Sequence, residues 1–196
     1  YSDAESHLGA PGRRVFIEDG RQFLLRAKSR WDSVIVDGSP PLYSAGTVNL
    51  YTREFFDLVR GRLTEEGIFT LWLPLLSFED DYWGIMRGMS EAFPHVSVWA
   101  HPGLSGFLIF GSARELSWPR GELERRLRAR GAPHITPGLD EAFVRRYFVL
   151  GDVELRARLK GREAGSDDRP TVEFPLMHLL RRDPVMKDAR FLLKAR

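Results

Sequence analysis

Short apolar runs rich in β-branched and aromatic residues alternate with amphipathic stretches along the first half of the chain. Three of these runs predict strands: RRVFIEDG at residues 13–20, SVIVD at residues 33–37 and IFTLWLP at residues 68–74. The stretches RQFLLRAKSR, TREFFDLVRGRL and SFEDDYWGIMRGMSEAF carry apolar residues at helical spacing, and we predict a helix in each. The second apolar run has no polar interruption, which is typical of a parallel strand covered on both faces.

Two more apolar runs, HVSVWAHP and GFLIFGS, flank a short Pro-Gly turn and predict an antiparallel hairpin. The order strand, helix, strand, helix, strand, helix, hairpin is that of the second half of a doubly wound α/β sheet. We therefore predict an α/β fold over residues 1–112, with a mostly parallel sheet that ends in the hairpin. Residues 113–196 are arginine-rich, and their pattern predicts a helical extension packed on the same domain.

Two carboxylates stand at the ends of predicted strands. Asp19 ends the first run, and Asp37 ends the second and is followed by a proline-containing loop, GSPP. In parallel sheets the ligand crevice lies outside the carboxyl ends of the strands. A carboxylate there can accept hydrogen bonds from an amine or a ribose, or take a proton from a nucleophile. Each Asp could equally cap the helix that follows, so the pattern alone leaves both roles open.

Several motifs, in order, resemble the polyamine aminopropyltransferases, the spermidine and spermine synthases. These are RVFIEDGRQFL, WDSVIVDGSPP and LYTREFFDLVRGRLTEEGIF, and SDDRPTVEFP near the end is similar to a motif of bacterial synthase-like proteins. The resemblance implies a methyltransferase-like Rossmann fold whose first βαβ portion is missing from this chain. It also implies transfer of an aminopropyl group from decarboxylated S-adenosylmethionine to a polyamine acceptor, with no metal.

The resemblance also implies roles for individual residues. Asp19 would contact the adenine amino group, and Gly20 would let the base approach closely. Asp37 would orient and deprotonate the attacking amine, which as an alkylammonium with a pKa near ~10 has no lone pair at neutral pH. Ser39 and Tyr43 belong to a loop that would close over the substrate.

Two departures from the family pattern keep other functions open. Pro40 replaces a second acid that helps to hold a diamine, and Glu79, Asp80 or Asp81 could substitute for it. The family's glycine-rich nucleotide loop and ribose-binding acid would both precede residue 13, and this chain contains neither. The alternatives are an S-adenosylmethionine-dependent methyltransferase-like enzyme and a non-catalytic binding module of a larger protein, which could be membrane-attached.

Composition narrows the choice of partners. The 196 residues are 43% hydrophobic and carry a net charge of +2, so the balance does not call for nucleic acid. There is no cysteine, which excludes disulfides and thiolate metal sites, and the five histidines lack metal-ligand spacing. The expected partner is a small-molecule amine, and a homo-oligomer or an upstream domain of the same gene product remains open.

Three further expectations concern the ends of the chain and its environment. The chain does not begin with methionine, so we expect it to start inside a longer gene product. Its longest apolar run, IFTLWLPLL, is about half the length that a membrane-spanning helix needs, and we expect a cytoplasmic protein. In the late SDDRPTVEFP segment, Asp168 and Glu173 are expected to pair with arginines and fasten the tail to the sheet.

Overall fold

The computed structural model describes residues 11–38, 45–74, 77–101, 106–117, 119, 121–129, 140–170, 172 and 185–186. The helices are α1 (Gly20–Arg26), α2 (Arg53–Arg62), α3 (Glu79–Ala92), α4 (Glu122–Ala129), α5 (Glu141–Arg146) and α6 (Asp152–Arg158), with a 3-10 helix at Ala45–Leu50. The strands are β1 (Trp31–Val36), β2 (Leu63–Pro74), β3 (Ser77–Phe78), β4 (His95–Ala100), β5 (Gly106–Ser112), β6 (Phe148–Leu150) and β7 (Val185–Met186).

Five of these strands form one mixed sheet in the order β1-β2-β5-β4-β6. The β1–β2 pair is parallel, whereas β2–β5, β5–β4 and β4–β6 are antiparallel. The α/β class and the β4–β5 hairpin are therefore confirmed, whereas the described sheet is mixed, with one parallel pair in place of the mostly parallel pairing predicted. Strand β6 was not expected, and it means that the segment beyond Ser112 adds an edge strand to the sheet as well as helices.

The predicted strand at residues 13–20 is wrong for this chain. Residues 13–17 form no strand, and Gly20 already begins α1. Val15 and Phe16 are each 56% exposed and Ile17 is 100% exposed, so the apolar run is not buried. A strand forms only where a neighbouring strand accepts its hydrogen bonds, and β1 pairs with β2 alone among the described strands. The local pattern was that of a strand, but the described strands offer it no pairing partner.

The core lies between the sheet and the helices α2 and α3. Phe55 and Phe56 of α2 pack at ring-centroid distances of 6.4 and 5.9 Å from Phe69 of β2. Phe69 also stacks on Phe93, which follows α3, at 5.7 Å and 13°. All four rings are at most 1% exposed. Because buried aromatic rings supply large apolar areas, this cluster holds α2 and α3 against β2.

The first turns of two helices differ in how they are capped. Thr52 caps α2, since its hydroxyl oxygen accepts the Phe55 amide hydrogen at 3.4 Å. The cap position of α3 is Phe78, and no side chain among the described residues caps that helix. Glu79, Asp80 and Asp81 fill its first turn, where negative charge stabilises a helix N-terminus.

The arginine-rich extension is organised by ion pairs and reciprocal caps. In α4, Arg125 and Arg126 contact Glu122, and Arg128 contacts Glu124. Glu141 at the start of α5 accepts the amides of Gly121 and Glu124 at 2.9 and 3.2 Å, while Glu124 accepts the Glu141 amide at 3.1 Å. The hydrogen bond from Arg145 is the main cause that lowers the pKa of Glu141. The N-termini of α4 and α5 therefore cap each other.

Gly111 in β5 offers a test of the packing around Phe93. A Cβ built on Gly111 would lie 2.7 Å from two atoms of the Phe93 ring. We expect Gly111→Ala to lower the free energy of unfolding by about 1–3 kcal/mol, because overpacking displaces neighbouring side chains. Urea unfolding at equilibrium measures this difference.

The matched control is Gly61→Ala in α2, where an added Cβ meets nothing within 4 Å. There we expect the free energy of unfolding to rise by about 0.5–1 kcal/mol, since alanine favours a helix over glycine. Equal stability of the two alanine variants would contradict the packing described around Phe93.

Candidate active site at the carboxyl end of β1

Asp37 follows the last residue of β1 and is exposed to solvent. Val36 is the last residue of β1 that pairs with β2, opposite Leu71, so the chain leaves the sheet after Val36. The Asp37 carboxylate accepts no hydrogen bond from the residues that the structure describes. It is thus an exposed carboxylate at the carboxyl end of β1, the end at which parallel sheets bind ligands.

Tyr51 contacts the residue after Asp37, and sequence reasoning missed it. It lies between the 3-10 helix and α2, is 1% exposed, and its hydroxyl lies 3.5 Å from the Gly38 carbonyl oxygen, to which it donates. Burial, and secondarily the negative charge of Asp37, raise the pKa of Tyr51 to about 12. A neutral phenol hydroxyl therefore contacts the backbone next to Asp37 at physiological pH. The Leu-Tyr-Thr motif before the capped helix was the available signal.

Asp19 has the capping role that the sequence left open. Its Oδ1 accepts the Gln22 amide hydrogen at 2.8 Å, and it is the N-cap of α1. Asp19 and Gly20 are exposed, and a Cβ added to Gly20 would meet nothing within 4 Å. The start of α1 is thus open to solvent, and its carboxylate is held in one orientation by the helix.

Arg21 joins the start of α1 to two distant segments. Its Nη1 donates to the Asn49 carbonyl oxygen at 2.8 Å and to Asp167 Oδ1 at 2.9 Å. Asp167 also accepts from the Thr52 hydroxyl at 2.7 Å. A cavity of about 540 Å³ lies beside these groups, with Val48 on its apolar side.

The pairing expected of Asp168 is instead made by its neighbour Asp167. Asp168 is exposed and has no hydrogen bond or ion pair with the described part of the chain. The Glu173 expectation lies outside the described residues, as do those for Ser39, Tyr43 and Pro40. Asp19 and Asp37 lie on different elements, and within the described ranges no hydrogen bond joins them.

The carboxylates at the start of α3 are engaged with neighbouring side chains. Glu79 accepts from Trp83 Nε1 at 3.0 Å, and Asp80 pairs with Arg162 at 3.2 Å. The Arg162 guanidinium also lies over the Trp83 ring, 4.7 Å from its centre. Glu79 and Asp80 therefore have structural partners, which weakens the idea that they replace the acid missing at Pro40.

The described residues contain no group of three or more His, Asp or Glu side chains placed to hold a metal ion. In the same part of the chain, no helix has the length and apolar character needed to cross a membrane.

Comparison with known proteins gives consistent matches. The family model of the spermine/spermidine synthase domain matches residues 5–106. Polyamine aminopropyltransferase 2 of Pseudomonas aeruginosa is 28% identical over 155 residues, which cover 74% of this chain and 44% of that protein. The polyamine aminopropyltransferase of Pyrobaculum neutrophilum is 34% identical over 140 residues, covering 65% and 48% respectively. This chain spans about half the length of the curated relatives that it matches.

A solved structure supports the fold. The crystal structure of spermidine synthase from Thermotoga maritima superposes with a TM-score of 0.55 over 80% of this chain and 53% of that one. The sequence identity is 17%, so this likeness concerns the fold alone. It confirms the predicted Rossmann-like α/β architecture.

The environment of Tyr51 predicts how stability depends on alkaline pH. The folded protein binds the Tyr51 proton more tightly than the unfolded chain, because the pKa rises from 10.0 to about 12 on folding. Stability should therefore be intact below pH 10 and fall as the pH rises through this window, by up to about 3 kcal/mol from this residue. Tyr51→Phe should flatten that part of the curve, as followed by urea unfolding at several alkaline pH values.

Asp37→Asn provides the second arm of this experiment. Removing the carboxylate removes the charge repulsion but leaves the burial, so the slope should flatten only in part. If Asp37→Asn leaves the alkaline curve unchanged while Tyr51→Phe flattens it, the carboxylate does not act on the phenol.

Proposed function

Because the chain belongs to the spermine/spermidine synthase domain family, we propose that it is the part of an aminopropyltransferase that carries the amine-activating carboxylate, Asp37. The observation that supports this most directly is the position of Asp37, exposed at the carboxyl end of a parallel strand. The strand end is where α/β sheets bind ligands. This chain spans about half the length of its curated relatives, and the complete reaction also needs residues of the other half.

The proposed reaction needs one proton acceptor and good alignment. An amine nitrogen attacks the carbon next to the sulfonium sulfur of decarboxylated S-adenosylmethionine, the carbon–sulfur bond breaks, and a neutral thioether leaves. The attacking nitrogen must lose a proton to present its lone pair, and Asp37 takes that proton. The sulfonium supplies the driving force, so the protein contributes chiefly position and negative potential.

Tyr51 and Asp19 have supporting roles in this proposal. The neutral Tyr51 hydroxyl holds the Gly38 carbonyl and so supports the backbone that carries Asp37. Asp19 accepts from the adenine amino group while its other oxygen caps α1. A carboxylate has two oxygens with several acceptor positions, so these two contacts are compatible.

A second function is favoured by a specific feature of the sequence. Pro40 stands where a second acid would hold the far ammonium of a diamine. Losing a charge-assisted hydrogen bond costs roughly 1.5–3 kcal/mol, which favours an acceptor other than a diamine. A methyltransferase-like reaction with S-adenosylmethionine itself is therefore the alternative, and a non-catalytic binding module is the third.

Calorimetry with decarboxylated S-adenosylmethionine and with S-adenosylmethionine separates these functions. An aminopropyltransferase should bind decarboxylated S-adenosylmethionine more tightly than S-adenosylmethionine. The carboxylate of the latter would approach Asp37, and like charges brought together cost several kcal/mol, by an order-of-magnitude estimate. Preference for S-adenosylmethionine supports the methyltransferase alternative, and binding of neither compound supports the non-catalytic module.

Asp37→Asn tests the proposed base. We expect turnover to fall by at least about a hundredfold, because general base catalysis typically contributes that much. Asp32→Asn is the matched control, since Asp32 lies on the same strand, is exposed, and accepts from Thr64 at 2.8 Å. Wild-type turnover in Asp37→Asn, measured by product formation with equal folded fractions, would refute the role of Asp37.

Asp19 can be separated into its capping and binding contributions. Asp19→Ala should weaken nucleotide binding and also lower the free energy of unfolding by about 1 kcal/mol, because the cap of α1 is lost. Asp19→Ser keeps a capping oxygen, so it should retain stability yet still bind the nucleotide weakly. If Asp19→Ser binds as tightly as the wild type, in calorimetry, Asp19 serves only as a cap.

A further inference from the structure

Asp167 belongs to the late SDDRP segment, yet it contacts the start of the domain. It pairs with Arg21, 146 positions earlier, through two hydrogen bonds: Nη1 to Oδ1 at 2.9 Å and Nη2 to Oδ2 at 2.5 Å. Oδ1 also accepts from the Thr52 hydroxyl at 2.7 Å. We call these three side chains, Arg21, Thr52 and Asp167, the Asp167 clasp. It joins α1 to the start of α2.

The loop that carries Asp167 is itself fixed by main-chain hydrogen bonds. Ser166 and Arg169 exchange backbone hydrogen bonds of 3.2 and 3.1 Å, which close a tight turn around Asp167. The Arg53 amide donates to the Gly165 carbonyl at 3.0 Å, and the Asp167 amide donates to Glu54 Oε2 at 3.0 Å. The first turn of α2 thus holds the turn, and the Asp167 carboxylate projects from a rigid support.

The Asp167 clasp is connected to both of the predicted site carboxylates, Asp19 and Asp37, through neighbouring residues. Arg21 directly follows the Asp19–Gly20 pair in the sequence. Thr52 directly follows Tyr51, whose hydroxyl contacts the Gly38 carbonyl beside Asp37. A displacement of Arg21 relative to Thr52 would therefore change the separation between the two ends of the candidate site.

The ion pair between Arg21 and Asp167 orients the segments it joins more than it stabilises the fold. The Arg21 side chain is 15% exposed and that of Asp167 is 40% exposed, and ion pairs this close to water add little to stability. A two-point pair between a guanidinium and a carboxylate does, however, fix distance and plane. The Arg21 hydrogen bond, opposed by desolvation, lowers the pKa of Asp167, so the carboxylate is charged at neutral pH.

We propose that Asp167 is a positioning residue, which fixes the Asp19–Gly20 end of the site relative to the Asp37–Gly38 end through Arg21 and Thr52. The inference rests on the proposed function insofar as the Asp19–Gly20 end is taken to hold the adenosyl substrate and the Asp37–Gly38 end the attacking amine. Asp167 then belongs to the machinery of the site, although it lies outside the stretch that the family model matches.

The test compares Asp167→Asn with Asp168→Asn in the same protein. Both variants remove one negative charge from adjacent exposed positions, but only Asp167 bonds to Arg21 and Thr52 among the described residues. In Asp167→Asn we expect kcat to fall about tenfold to a hundredfold, because small misplacements of reacting groups carry such costs. The calorimetric Kd for decarboxylated S-adenosylmethionine should change by less than about threefold, since each end is intact by itself. Asp168→Asn should match the wild type in both.

The outcomes separate the clasp from the proposed function. A purely structural Asp167 would lower the melting temperature of Asp167→Asn but leave kcat of the folded protein unchanged, and that result overturns the proposal. If the wild type neither binds nor converts decarboxylated S-adenosylmethionine, the proposed function fails. Amide hydrogen exchange then tests whether the Asp167 clasp holds its two segments together. Faster amide exchange at both residues 20–23 and residues 50–53, in Asp167→Asn alone, supports it, and unchanged exchange at either segment overturns it.

Discussion

The parallel pairing of β1 with β2 determines where the candidate site lies. Strand β2 is bonded to β5 on its other side, and its Phe69 packs against Phe55 and Phe56 of α2, so β2 is the fixed reference for β1. The pairing is irregular at its start, where Trp31 registers with Leu63 and Ser33 with Ile68. Gly67 permits this irregularity, because a Cβ there would come within 2.9 Å of the Trp31 carbonyl oxygen. From Ser33 onward the register is regular, and it ends with Asp37 beyond the sheet.

Near this strand end, the carboxylate of Asp37 and the phenol of Tyr51 differ in burial. Asp37 is exposed, whereas Tyr51 is almost fully buried a short distance away. Burial disfavours the charged form of a phenol, and a nearby carboxylate disfavours it further, so both effects keep Tyr51 protonated. A neutral Tyr51 adds no second negative charge near Asp37, which is compatible with the proposal that Asp37 takes the proton of an incoming amine.

The sequence predicted the features that depend on local patterns and missed those that depend on distant partners. The hairpin β4–β5, the helices α2 and α3, and the strand ending at Asp37 follow from periodicity within short windows. The expected strand at residues 13–20 had the right composition but depends on a neighbour that the described chain does not supply. Strand β6 is too short for a pattern, and its pairing with β4 joins residues about 50 positions apart.

The candidate site shows the same division. Asp37 could be predicted because a charge after an apolar run is visible in the sequence, but the contact between Tyr51 and Gly38 crosses a loop. The choice of Asp167 over Asp168 could not be predicted, since both are adjacent acids and only the turn between Ser166 and Arg169 selects which one faces Arg21. Family resemblance supplied roles for matched positions, but it gave no role to Arg21 or Tyr51.

The two interpretations of Asp19, helix cap and nucleotide contact, support rather than exclude each other. Exposed carboxylates on flexible turns sample many rotamers, and a ligand must then bear the entropy of ordering them. The Gln22 amide holds Asp19 Oδ1 at 2.8 Å and so orders the side chain before any ligand binds. The same hydrogen bond leaves the second carboxylate oxygen with acceptor capacity. Under the proposed function Asp19 is thus already oriented for recognition, and the Asp167 clasp extends that order to Arg21, two residues further along.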